Sequence, residues 1–222
     1  MKLPRPQEGF AQYQGTFSSP AFTLLAGNAL FHGNLFRALA TYGATPQNLK
    51  TEGSAGTVAV GYDVLAPHNF VVRVKLDTID VTFYSLQAIG NERAKQVVID
   101  LWDAIKNSDS SIELSQHVVT TAFQFELGVD VYKQVLRPYV KIPESLGSEI
   151  EPGVVFYSSG GQTLGDKGAT VVLDRLAPGK LNLRIVMFVD AKKVPLSTLG
   201  AYVEQYVNSS LSMLGLEIER DN

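Results

Sequence analysis

The chain has 222 residues, 45% of them hydrophobic and 18% charged, with a net charge of −3 and no cysteine. That composition suits a folded chain with a sizeable core, and it excludes wholesale disorder, disulfides, thiolate metal sites and cysteine nucleophiles. The charge gives no electrostatic reason to expect nucleic acid or an anionic membrane as partner, and no apolar run approaches the ~20 residues of a membrane helix.

Residues 1–17 hold Pro4, Pro6 and Gly9 and no periodicity, which predicts an irregular N-terminal arm. The same opening stretch lacks the apolar core of a secretory signal, and a cytoplasmic location is the default expectation. SSPAFTLLAG then reads as a short buried strand ending at Gly27. Ala29 to Tyr42 reads as a helix with Leu30, Leu35, Phe36 and Leu39 inward, stopped by Gly43 and Pro46. GTVAVGYDVLA is a strand with Val58 and Val60 on one side.

The stretch from Asn69 to Asn107 carries the strongest pattern. Val72, Val74 and Leu76 alternate with Arg73, Lys75 and Asp77, and Ile79, Val81 and Phe83 alternate with Asp80, Thr82 and Tyr84. Such alternation marks half-buried strands, and the change of parity at Asp77–Thr78 requires a turn or bulge. The period then becomes helical, with Ala94, Val97, Val98, Leu101 and Ile105 on one stripe and Asn91 as cap.

A long strand follows, with Val119, Thr121, Phe123, Phe125 and Leu127 on one face, then a short helix ending before Pro138. YVKIPESLGSEIEPG is the main irregular connection. The last third reads as the strand GVVFYSS, the loop SSGGQTLGDKG, the strand ATVVLDRLA, a PGK turn and the strand LNLRIVMFVDA. A helix from Ser197 to Leu214 closes it, with Gly215 as the stop.

Residues 20–107 and 121–214 share one order of strand, helix, three strands and helix, and AFTLLAG at Ala21–Gly27 echoes AFQFELG at Ala122–Gly128. The expected fold is therefore α+β, mainly antiparallel, with helices on one sheet face and a duplicated βαβββα unit. The units are expected at 18–112 and 113–222, packed as one domain. Two such sheets pairing edge to edge would remove two exposed edges and extend one core.

Several features match a known family in order and spacing: Ser19-Pro20 before the first element, the strand–strand–helix at Phe70–Lys106, the long strand to Leu127, Ile142–Gly147 after the short helix, and the closing strand and helix. On these the chain resembles a sporadically distributed bacterial family of uncharacterised proteins. The resemblance implies no activity and no catalytic residue. By topology alone a duplicated unit of this kind is similar to the TATA-binding protein saddle, although a pI near 5.6 speaks against DNA as ligand.

Three histidines, His32, His68 and His117, stand at no metal-ligand spacing, so no metal or other cofactor is expected. The Gly-rich loop suggests a ligand site at Ser159, Gly160, Gly161, Gln162 and Lys167, where backbone N–H groups and one ammonium would hold a phosphate. It lacks the P-loop spacing and precedes a strand, so a flexible strand connection explains the same glycines. Asp77, Asp80 and Glu126 fall on the outward parity of strands, where carboxylates face water. Arg73, Lys75, Tyr84, Arg184 and Phe188 form a mixed polar and aromatic outer face of the kind used for protein partners. The functional expectation is a non-enzymatic binding or assembly protein acting through protein contacts, including self-association. The alternative is a small-molecule binder or enzyme with its site at the Gly-rich loop.

Overall fold

The computed structural model describes residues 1–25, 28–54, 57–65, 68–141, 150–160 and 166–219, with side chains at 52–54, 57–58 and 63–64 left out. Nine strands form one antiparallel sheet in the order β3-β4-β5-β6-β2-β7-β10-β9-β8. The first unit supplies β2 (Glu8–Phe17), β3 (Leu49–Ser54), β4 (Thr57–Leu65), β5 (Phe70–Lys75) and β6 (Thr78–Phe83). The second supplies β7 (Leu114–Glu126), β8 (Val154–Ser158), β9 (Asp166–Ala177) and β10 (Lys180–Asp190). The second unit has the expected βαβββα order, and the first carries one strand more. The two half-sheets join edge to edge through their first strands, with Ala11 opposite Thr121 and Tyr13 opposite Val119.

That junction overturns one sequence expectation. The stretch taken as an irregular arm contains β2, a central strand hydrogen-bonded to β6 and β7. Its inward positions are Gly9, Ala11, Tyr13, Gly15 and Phe17, so small residues hide the alternation. The glycine at 15 has a steric reason: a Cβ there would stand 2.6 Å from the Tyr13 hydroxyl and 2.8 Å from Leu114. The first unit thus begins at β2 rather than at residue 18. The strand expected at 18–27 is instead a single helical turn, α1 (Phe22–Leu25), and AFTLLAG and AFQFELG occupy different structures. The expected connection after the short helix falls largely on residues 142–149, outside the described residues.

The helices cover one face. In α2 (Ala29–Ala40), capped by Asn28 accepting from Leu30 and Phe31 N–H, residues Phe31, Leu35 and Leu39 point inward. In α4 (Asn91–Ser108), preceded by the short α3 (Leu86–Ile89), Val97, Leu101 and Ile105 are fully buried. The two helices are tied by Tyr42 donating to Asp100 at 2.6 Å and Asn34 to Ser108 at 2.9 Å. In α5 (Val129–Leu136), Tyr132 is buried and donates to the Pro152 carbonyl. The last helix, α6 (Leu196–Met213), covers the second unit. Beneath them Phe70, Val72, Val74, Leu183, Ile185 and Met187 form the sheet's inner layer. Each such side chain contributes roughly 1.5–3 kcal/mol on burial.

A two-stranded parallel ladder ties the chain ends: β1 (Lys2–Leu3) pairs with β11 (Glu217–Ile218), and the Met1 amino group donates to the Gly215 carbonyl. The stretch entering the first unit is thereby fixed to the stretch leaving the second. Among the described residues no helix is long and apolar enough to cross a membrane.

Candidate functional site

On the helical face α4 packs against α2, whereas α4 and α6 approach each other mainly where the Lys95 stem lies over Gly200. A Cβ at residue 200 would stand 2.7 Å from Lys95 Cδ, so glycine admits that crossing. Elsewhere the two helices leave a groove of about 990 Å3, partly open to solvent. Its floor is the junction itself: Ala11 and Tyr13 from β2, and Val119, Thr121 and Phe123 from β7. One wall is Ala94 and Val98 of α4, and the other is Leu199, Val203, Val207 and Leu211 of α6. Leu216 to Ile218 line it as well, so the ladder that ties the chain ends borders the groove.

Gln12, Asn91, Gln96, Ser197, Asn208 and Glu217 line the groove, together with further polar groups whose contacts define its surroundings. Tyr13 of the floor and the buried His117 bridge the units, with the phenol 3.1 Å from Nδ1 and Nε2 3.1 Å from the Val194 carbonyl. A carbonyl only accepts, so Nε2 carries the proton and Nδ1 accepts from the phenol. Burial pushes the His117 pKa below its ordinary value, opposed by the bond to Val194 and the charge of Asp190, and burial pushes the Tyr13 phenol up. In the floor itself, Thr121 is only 7% exposed and its Oγ1 has no hydrogen-bond partner. At the rim, Lys95 lies 2.7 Å from Glu92 and 3.9 Å from Glu204.

The residues singled out from sequence lie elsewhere. Ser159 and Gly160 follow β8, Lys167 starts β9, and Gly161 and Gln162 fall outside the described residues. Gly160 and Gly168 both adopt positive φ, 86° and 129°, and a Cβ on either would strike the facing backbone. Both glycines therefore serve the close approach of β8 and β9. Lys167 faces Asp190 at 4.0 Å. None of the described members of this set lines the groove.

The proposed interface residues share the uncovered sheet face but are spread over it. Arg73 and Phe188 lie in one cross-strand row through Asp80, Gln14 and Val118, four strands apart and so about 19 Å. Tyr84 and Phe188 are 49% and 36% exposed, and Arg73 and Arg184 are exposed. Lys75 reaches across to Asp80 at 3.0 Å. Asp80 is consequently only 9% exposed, which corrects the expectation that it simply faces water. The same face also presents Val155 and Tyr157 of β8, the latter 81% exposed.

Sequence reading missed the groove, although two signals were present. The inward set of β7 extends back from Val119 to His117, which makes that histidine a buried one. On α6, Val207 and Leu211 widen the apolar stripe beyond what a single buried face requires.

No protein-family model matches the sequence, and no curated protein matches it. Among solved structures, the chain is similar to the di-domain ARO/CYC StfQ from the steffimycin biosynthetic pathway, at 12% identity and a TM-score of 0.30 over 91% of this chain and 94% of that one. It is also similar to Methanococcus jannaschii TBP, at 12% identity and a TM-score of 0.29 over 96% and 99%. An aspartate kinase of Clostridium acetobutylicum follows at 9% identity and 0.22, over 87% of this chain and 31% of that chain. At such scores the architecture rests on the strand order and registers given above, and no function is carried across.

Proposed function

We propose that this is a non-enzymatic binding protein whose ligand is an apolar-bodied small molecule held in the groove between α4 and α6. The observation that carries the reading is the groove's construction. Its volume of about 990 Å3 falls at the upper end of small-molecule sites, about 300–1,000 Å3, and its lining combines an aliphatic floor and walls with polar and charged side chains. Val203 and Val207 remain half-buried, so an occupant would remove apolar surface from water. The floor is supplied by strands of both units, so neither unit has this surface alone. The test is native mass spectrometry of the purified protein alongside Val203→Trp, which fills the groove. A co-purified apolar molecule present in the parent and lost from the variant supports the reading, and retention in the variant refutes it.

A second reading rests on a separate observation. Val155, Tyr157 and Phe188 are exposed on the uncovered sheet face, and β8 is an edge strand without Lys, Pro or any charge to blunt it. This favours a protein partner or a second copy of the chain docking there, with Arg73, Lys75, Tyr84 and Arg184 as surrounding polar and aromatic contacts. Sedimentation of Tyr157→Glu beside the parent tests it. A change from oligomer to monomer supports self-association, whereas a parent that is already monomeric removes it.

A further inference from the structure

The two edges of the nine-stranded sheet differ in what they offer a partner. β3 carries Lys50 and Glu52, and charged side chains blunt an edge. β8 reads VVFYS, without charge or proline, and among the described residues only β9 pairs with it. Its outer row of backbone N–H and C=O groups is a template for one more strand. On the uncovered face of that strand stand Val155 and Tyr157, 46% and 81% exposed, while Phe156 turns the other way onto Tyr139.

The strand is complementary to itself. In an antiparallel ladder, residues whose N–H points outward oppose residues of the same kind, so a β8–β8 pair must be centred on a residue. Centring on Phe156 opposes the strand over its whole length, with Val154 against Ser158 and Val155 against Tyr157 of the other copy, each pair occurring twice. The two outer pairs are then β-branched against aromatic, a favourable cross-strand combination. The same register sets Pro152 opposite Gly160, the residues that bound the strand, Pro152 by its missing N–H and Gly160 by its φ of 86°. Centring on Val155 or Tyr157 instead leaves two residues of each strand unopposed. A two-fold axis at Phe156 closes on a dimer, whereas β8 against β3 of the next copy is head-to-tail and leaves both outer edges open. An isologous ladder also brings any charge near its own copy, and β8 has none to repel. Glu151, which precedes it, is buried and held by Arg175 and the Gly179 amide.

We propose that β8 pairs antiparallel with β8 of a second copy about a two-fold axis at Phe156, which joins the sheets of two chains into one. The inference rests on the reading of β8 and its face as a protein contact, and it specifies the partner and the register. Five residues make a seam about 17 Å long, too narrow to bury the ~800 Å2 per partner of a permanent interface. The dimer is accordingly of the transient class, dissociating in the micromolar range or above.

Sedimentation velocity of the intact parent, from about 1 to about 500 µM, is expected to show a reversible monomer–dimer equilibrium. Tyr157→Glu, at an exposed position outside the core, is expected to weaken it by about tenfold or more. The chain has no cysteine, so an introduced thiol is the only one, and disulfide formation under mild oxidation reads the register. It is measured in Val155→Cys, in Tyr157→Cys and in an equal mixture of the two with one tagged for mass, the fold of each variant being checked by circular dichroism. Directly opposed positions lie within disulfide reach, whereas Val155 and its own copy are diagonal neighbours. The mixed product of Val155→Cys with Tyr157→Cys is therefore expected well above the statistical share of random pairing. A dimer that Tyr157→Glu weakens but whose mixed product does not exceed that share overturns the ladder and its register while leaving the β8 face as a contact. A dimer unmoved by Tyr157→Glu overturns the ladder and the self-association through β8 on which it rests. A parent that stays monomeric throughout the range overturns both as well, and leaves the edge to an extended segment of another protein.

Discussion

Tyr13→Phe isolates a hydrogen bond between side chains of the two central strands. The ring that packs in the groove floor is retained, and only the hydroxyl 3.1 Å from His117 Nδ1 is lost. His117 is 1% exposed, so no bulk water replaces the donor, and Nδ1 becomes a buried acceptor without a partner. Leaving such a group unsatisfied costs about 1–3 kcal/mol. The other nitrogen keeps its bond to the Val194 carbonyl, which holds the ring in place and limits relaxation. For a chain of this size the loss corresponds to a fall in Tm of about 2–4 °C per kcal/mol. Urea unfolding followed by circular dichroism measures it, with an unchanged m-value showing that the unfolded state is not altered. Because the bond joins β2 to β7, amide exchange should rise in both strands together. A variant as stable as the parent would show that the phenol and the imidazole are not bonded, and the account of the junction would fail with it.

Three further outcomes follow from single contacts. Since burial holds the His117 pKa below 6.5, the unfolded chain binds more protons than the folded one below that pH. Stability should accordingly fall as pH drops below 6.5 toward the lowered folded-state value, and urea midpoints in His117→Gln should show a shallower slope over that window. Gly61→Ala should destabilise by about 1–3 kcal/mol or more in the same urea assay, because a Cβ there lies 2.2 Å from the Val72 carbonyl oxygen and must force β4 from β5. Glu151→Ala should cost about 1.5–3 kcal/mol and speed exchange of the Gly179 amide, since the buried carboxylate accepts that N–H at 3.0 Å and faces Arg175 at 3.5 Å.

What the sequence discloses depends on how many surfaces each element serves. The strands at 70–75 and 78–83 have one face in the core and one uncovered, so their alternation is plain and their registers follow. The same holds for β10, where Leu181 to Val189 alternate with Asn182 to Phe188. β2 lies at the centre of the sheet, and its inward positions answer to different neighbours: Gly9 sits under Leu86 and Gln87, Tyr13 reaches His117, and Gly15 makes room for that phenol. Two glycines on the buried parity remove the hydrophobic signal from the strand that matters most for the junction. The Gly-rich loop misled in the opposite sense. Gly160 and Gly168 draw attention in the sequence, yet their conformations are explained by backbone approach between two strands.

The groove escaped sequence reading for a related reason. A concave site at the seam between two units has no local motif, because its floor comes from β2 and β7 and its walls from the closing helix of each unit. Each contribution looks like ordinary core: Val119 and Phe123 complete a strand face, and Val203 and Val207 complete a helix stripe. They differ from core only in what faces them across the seam. In the rest of the helical face the stripes meet a partner, as α4 meets α2 through Tyr42 and Asp100. Between α4 and α6 that partner is missing along most of the length. Core packing selects against such an open aliphatic surface by its contact with water. The proposed function rests on that unpartnered stretch at the seam, and Val203→Trp, which fills it, is the variant that decides it.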